Sequence, residues 1–226
     1  MTWLLWILVA YACGSIPFGV LIARSQGVDI RSVGSGNIGA TNVGRVLGRS
    51  FGIACFFLDA LKGALPVAFA GWTQGILGNA LQDIPAQSAW LWLATAMAAI
   101  LGHSFSPWLG MRGGKGVATG FGATFAMWPV MTIAAGIAFL VWGIMLGLSR
   151  MMSLASIIAA STLPVVVVVE IALEGAPASG LPFLLVTLLL AAFVTFRHRA
   201  NIARIRKGEE PKIGQGSRGS DSAGKG

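Results

Sequence analysis

The sequence predicts an all-α polytopic membrane protein of seven transmembrane helices, with the N-terminus outside and the C-terminus in the cytoplasm. Three observations carry this. Of 226 residues, 55% are hydrophobic and only 11% charged, where a soluble domain carries about 25% charged residues; mean hydropathy is +0.77. Long apolar runs recur at 2–23, 51–71, 89–103, 117–148, 151–173 and 181–196, and a helical span takes about 20 residues. The loop lysines and arginines fall in alternate loops, the pattern that sets orientation in the membrane.

The first run meets no basic residue before Arg24, so it reads as a span and not as a cleaved signal peptide. The loop after it carries Arg24, Arg31, Arg45 and Arg49. The second run contains Asp59 and Lys62, three residues apart on one helical face. A charge at mid-membrane costs about 2.5–3.5 kcal/mol on insertion scales, so the two either pair or Lys62 faces a site. Segment 72–88 has no basic residue, and the third run ends at His103. The fourth run is 32 residues long, with Trp128-Pro129 inside it; proline favours a break there. As one helix it would put Arg150 and the basic tail outside. As two it puts every loop Lys and Arg inside, although 117–128 is then short, tilted or only partly spanning. The tail from about 208 is small and polar, and disorder is expected. The organisation is thus one membrane domain over 1–207 and a tail over 208–226. The net charge of +8 is spread over these loops and signals topology, not a nucleic-acid partner. Cys13 and Cys55 lie in apolar stretches with no metal-ligand or disulfide spacing.

The polar residues gather at one membrane face. The first cytoplasmic loop reads Gly34-Ser35-Gly36-Asn37-Ile38-Gly39-Ala40-Thr41-Asn42, followed by Arg45. Glycine lets successive backbone N–H groups converge on an anion, phosphate above all. A second loop, Arg112-Gly113-Gly114-Lys115-Gly116-Val117-Ala118-Thr119, repeats that chemistry. It is not a Walker loop, which needs a four-residue gap between its glycines and Ser or Thr after the lysine. The last membrane exit supplies Arg197, His198, Arg199 and Asn201; His103 and His198 are the only histidines. Two anion loops without a nucleotide fold point to a membrane enzyme or a transporter acting on a small phosphorylated compound. A transporter places its substrate at mid-membrane between repeats. The clustering of these motifs at one face favours the enzyme.

Gly34–Asn42 with Arg45, Asp59-Ala-Leu-Lys-Gly, Gly102-His103 leading to Gly113–Thr119, and Arg197-His-Arg-Ala-Asn-Ile-Ala-Arg followed by Gly208-Glu209 together resemble the acyl-phosphate-dependent glycerol-3-phosphate acyltransferase (PlsY) family. The resemblance runs from the first span to about residue 210. It implies a multi-pass enzyme of the bacterial inner membrane, its active site facing the cytoplasm. Such an enzyme moves an acyl group from acyl-phosphate to the 1-hydroxyl of glycerol-3-phosphate, giving lysophosphatidic acid and phosphate. Carried over by position, the expected catalytic residues are Ser35, Arg45, Lys115, His198 and Asn201. Gly34, Gly36, Asn37, Gly39, Thr41, Asn42, Lys62, His103, Gly113, Gly114, Gly116 and Thr119 are expected around the substrate phosphates. Asp59 and Glu209 are expected to be structural. The implied partners are the two substrates and membrane lipid. No metal or cofactor is called for, and a monomer is compatible with the chemistry. An acyl-phosphate is already an activated anhydride, so binding two anions and aligning the hydroxyl with the acyl carbon suffices.

Overall fold

The computed structural model describes residues 2–214, and all of its regular structure is helical. In chain order the helices are α1 (Thr2–Ser15), α2 (Phe18–Ser25), α3 (Ala40–Leu47), α4 (Arg49–Thr73), α5 (Ala86–Ser104), α6 (Val117–Phe125), α7 (Thr132–Ser149), α8 (Met152–Glu174), α9 (Pro177–Arg197) and α10 (Arg199–Arg206), with short 3-10 turns at Leu81–Asp83 and Pro107–Leu109. Among the described residues, six segments are long and apolar enough to cross a membrane: Trp3–Ser25 (α1 with α2), α4, α5 with its following turn, α7, α8 and α9. Their outward faces carry Leu4, Leu8, Phe57, Leu61, Leu140, Ile144, Val165, Leu188 and Leu189, all exposed, as a lipid-facing surface requires.

The 117–148 run breaks where its proline stands. α6 ends at Phe125 and α7 starts at Thr132. α6 has nine residues and rises about 14 Å, less than half of a hydrocarbon core of about 30 Å. The turn after it is tied to the α4–α5 loop: the Gly78 N–H donates to the Trp128 carbonyl at 2.9 Å. That loop folds inward, burying Ile76, Leu81 and Ile84 in the core shared by α4 to α9.

Close helix contacts come from small residues, as expected where lipid removes the hydrophobic drive between helices. Gly14 of α1 lies against the Ala99 backbone of α5, and Gly102 of α5 against the Tyr11 carbonyl of α1. A side chain at either position would push the two helices apart. α6 packs on α4 in the same way through Gly122 and the Ala60 backbone.

The tail does not separate from the helices at 207. The Ile213 N–H donates to the Arg150 carbonyl at 2.8 Å, and Glu210 is buried. The rest of the expected disordered tail, 215–226, lies outside the described residues.

Candidate active site

The segments 105–116, 150 and 197–214 meet at one end of the bundle. The Lys115 ammonium donates to the Asn201 side-chain oxygen. Asn201 in turn donates to Glu210 Oε1 at 2.6 Å. The same oxygen accepts the Ser153 hydroxyl at 2.6 Å, and Oε2 accepts Arg204 Nε–H at 2.8 Å. Glu210 therefore joins α8, α10 and, through Asn201, the 112–116 loop. The adjacent Glu209 is exposed and takes no part in this network. Of the two adjacent glutamates it is Glu210, one position beyond the expected Glu209, whose side chain turns inward and joins this network.

Burial draws Lys115 down to about 8; the Glu210 carboxylate opposes this, while Arg204, Arg197 and Arg45 reinforce it. The ammonium is still the main form at neutral pH. Arg45 therefore lies within electrostatic range of Lys115. Its guanidinium and the Ser35 hydroxyl are exposed, and neither has a hydrogen-bond partner among the described residues. His198 stands at the junction of α9 and α10, with no side-chain capping bond to α10. Its Nδ1 is 2.8 Å from the Val194 carbonyl. A carbonyl only accepts, so Nδ1 carries the proton and Nε2 keeps a free lone pair. Burial, aided by Lys115, pushes His198 down to about 4, so the imidazole is neutral at pH 7.

In both glycine loops part of the backbone is hydrogen-bonded within the fold. The Gly113 N–H donates to the Ser104 carbonyl and the Gly114 N–H to the His103 carbonyl, each at 3.1 Å. Arg197 Nη2 grips the Gly113 and Gly114 carbonyls at 3.1 and 2.6 Å. Both peptides are engaged in the fold, and Gly113 and Gly114 are glycine because the α5 terminus leaves no room for a β-carbon. Thr119 is likewise fully buried, facing α4 at Gly63, and does not line the site. In the first loop, the Asn42 carboxamide accepts the Ser35 N–H at 2.8 Å and donates to the Ile30 and Val33 carbonyls. Asn37 accepts the Gly39 N–H, and the Gly36 N–H donates to the Val33 carbonyl. Gly34 and Gly36 supply the left-handed turns, at φ 61° and 67°. Asn37, Asn42, Gly34, Gly36 and Gly39 thus shape the loop that displays Ser35, and exposed Thr41 and Arg45 on α3. Donors with capacity left for an anion include the Lys115 ammonium, which spends one of its three N–H groups on Asn201, Arg45, the hydroxyls of Ser35 and Thr41, and the first N–H groups of α3 and α6, which have no intrahelical acceptor.

Lys62 and His103, expected at the phosphates, are buried beside Asp59, with the His103 ring beneath Gly114. Glu210 and Ser153 are not singled out by the sequence; they lie 57 positions apart, and no local pattern marks either. Arg197 stands out at the last membrane exit, but its hold on the Gly114 carbonyl spans 83 positions and has no local signature.

From Gly116 an apolar groove runs between α6, α7, α8 and α9. Gly116, Val117 and Gly120 form its mouth side. Phe139 and Trp142 form one flank, and Ser156, Ala160 and Leu163 continue along α8. A cationic polar site thus opens onto a slot lined by alkyl and aromatic groups.

Comparison with known proteins gives this arrangement its place. The family model described as glycerol-3-phosphate acyltransferase matches residues 4–208. The chain belongs to the glycerol-3-phosphate acyltransferase family. It is 41% identical to the glycerol-3-phosphate acyltransferase of Aquifex aeolicus (strain VF5), over 92% of this chain and 97% of that protein. Against the protein of that name from Geobacter sulfurreducens identity is 44%, over 91% and 94%. The fold matches the crystal structure of PlsY (YgiH), an integral membrane glycerol 3-phosphate acyltransferase, in its glycerol 3-phosphate form, with a TM-score of 0.80 at 38% identity over 95% of this chain and 96% of that one. The lysophosphatidic acid form of that protein matches at 0.77. This chain has the all-helical integral-membrane fold of that protein.

Proposed function

We propose that the protein transfers the acyl group of a fatty acyl-phosphate to the 1-hydroxyl of glycerol-3-phosphate, giving lysophosphatidic acid and phosphate. The observation that carries this is the junction of the Lys115 site with the apolar groove at Gly116. An acyl-phosphate has the matching shape: a dianionic head, a reactive carbonyl and a long alkyl tail. With the tail in the groove, the carbonyl lies at the α6 N-terminus beside Lys115.

The hydroxyl oxygen attacks the acyl carbon while the carbon–oxygen bond to phosphate breaks. Lys115, Arg45 and the helix N-terminal amides offset the charge that grows on the carbonyl oxygen and the departing phosphate. Neutral His198 offers Nε2 as an acceptor to hold the hydroxyl in line. The hydroxyl proton passes to a phosphate oxygen. No protein nucleophile is required.

We further infer seven crossings, with the N-terminus outside and the site at the cytoplasmic face of the bacterial inner membrane. α6 supplies the extra, short crossing. Its start belongs to the basic end, whereas the turn after it bonds to the α4–α5 loop, which carries no Lys or Arg. The purified protein in lipid, given palmitoyl-phosphate and labelled glycerol-3-phosphate, should form labelled lysophosphatidic acid with equimolar phosphate. Uptake of label into sealed vesicles without product would overturn the enzyme reading in favour of a transporter.

A further inference from the structure

A buried charged cluster beneath the 113–116 loop has no task in the acyl-transfer step. Asp59 and Lys62 on α4 and His103 near the end of α5 are 2%, 5% and 4% exposed. The Lys62 ammonium is 2.6 Å from the Asp59 carboxylate. It also donates a 2.7 Å hydrogen bond to the Ile16 carbonyl, at the break between α1 and α2. Nδ1 of His103 is 3.7 Å from the same Asp59 oxygen. The opposite ring nitrogen lies under Gly114, where a β-carbon would collide with it. From the other side, Arg197 grips the two glycine carbonyls. The loop that carries Lys115 is therefore held between a guanidinium and an imidazole.

The geometry points to a positioning role: Asp59, Lys62 and His103 form a buried charged anchor that sets the height of the Gly113–Gly116 loop, and with it the Lys115 ammonium, without touching either substrate. An apolar core would fill the same space without fixing direction. Electrostatic attraction is strong where water is excluded. The Asp59 carboxylate faces Lys62 at 2.6 Å and the His103 ring at 3.7 Å, beyond hydrogen-bond length, so it holds the ring through charge and packing. The ring sets the floor for Gly114, and the charge-assisted hydrogen bond from Lys62 to the Ile16 carbonyl ties α4 to the end of α1. Lys115 is the next residue along. A misplacement of about 1 Å at a reacting group can cost about a hundredfold in rate, so a rigid floor has a functional consequence.

This role rests on the acyl-transfer reading above, and its test has one arm that does not. Hydrogen exchange of the protein in lipid nanodiscs, read on peptides covering 112–118, should quicken in Asp59→Asn while exchange in α7 and α8 stays unchanged. Unchanged exchange at 112–118 would overturn the anchor even if acyl transfer is confirmed. Kinetics supply the second arm. Asp59→Asn and His103→Gln should lower kcat by about tenfold or more with both KM values within about twofold of the parent. A rise in KM for glycerol-3-phosphate at unchanged kcat would mean that these residues contact substrate, and would refute the anchor. Lys62→Arg should retain more activity than Lys62→Met. Finally, Gly114→Ala should be nearly inactive, and His103→Ala should partly restore it by vacating the ring. A double variant no better than Gly114→Ala, with unfolding temperatures that match, would show that the ring is not the floor.

Discussion

The Lys115 ammonium is hydrogen-bonded to the Asn201 side chain across 86 positions of sequence, and Asn201 is held in turn by Glu210. This chain of contacts places a cation drawn down to about 8 at the mouth of an apolar groove. It also makes the pH behaviour of the enzyme specific.

Activity should fall as pH rises through about 8, because Lys115 loses its charge there. The charged, active form lies on the acid side, and burial brings its loss down from the ordinary lysine range to about 8. Lys115→Arg, which stays charged, should weaken the enzyme but remove this alkaline limb. Glu210→Gln removes the carboxylate that supports the ammonium and should move the limb to lower pH. A limb unaffected by either change would assign it to another group.

Glu210 and Glu209 should differ sharply. Glu210→Ala leaves the Ser153 hydroxyl and the Asn201 amide buried without their acceptor, and each such group costs about 1–3 kcal/mol. It should lower the melting temperature and abolish most activity. Glu209→Ala, at an exposed site, should stay within about 0.5 kcal/mol of the parent. Thermal unfolding in detergent compares them directly.

Charge and alignment should separate at the exposed donors. Charge-assisted hydrogen bonds are worth about 1.5–3 kcal/mol, so Arg45→Ala and Lys115→Ala should lower kcat/KM about tenfold to a hundredfold or more. Ser35→Ala should lose activity through a missing hydrogen bond. Mass spectrometry of protein incubated with acyl-phosphate alone should find no acyl-Ser35. A Ser35 ester that turns over with glycerol-3-phosphate would replace direct transfer by a two-step mechanism.

The groove should be read out by tail length. Ala160 lines it midway along α8, and Ala160→Leu fills part of it. The KM for long-chain acyl-phosphates should rise more than for short ones, with the KM for glycerol-3-phosphate unchanged. An equal effect on all chain lengths would place the tail elsewhere.

For topology, Gln82→Cys and Ala178→Cys in a Cys13→Ala, Cys55→Ala background should react with an impermeant thiol reagent applied outside intact cells. Lys207→Cys should not. Labelling at 207 under those conditions would invert the protein.

Composition and the alternation of basic loops were enough to read a helical membrane protein, the break at Trp128-Pro129 and the gathering of the polar motifs at one face. These properties are legible because hydropathy, charge and proline geometry act locally along the chain. The roles inside the site were less legible. Sequence reasoning placed Gly113, Gly114, Asn42, Lys62 and His103 at the phosphates, since glycine, amides and cations suit an anion. Folding also gave several of those groups protein partners: α5 carbonyls for the N–H groups of the two glycines, the 30–35 backbone for Asn42, and Asp59 for Lys62. Glu209 and Glu210 are chemically identical neighbours, and only the reversal of the chain after α10 selects the second. Whether a polar group is free to bind a substrate depends on what else reaches it. Some of these partners are near in sequence, as Asp59 is to Lys62, but Arg197 on the Gly114 carbonyl and Ser153 on Glu210 come from 83 and 57 positions away, where only tertiary packing brings them in.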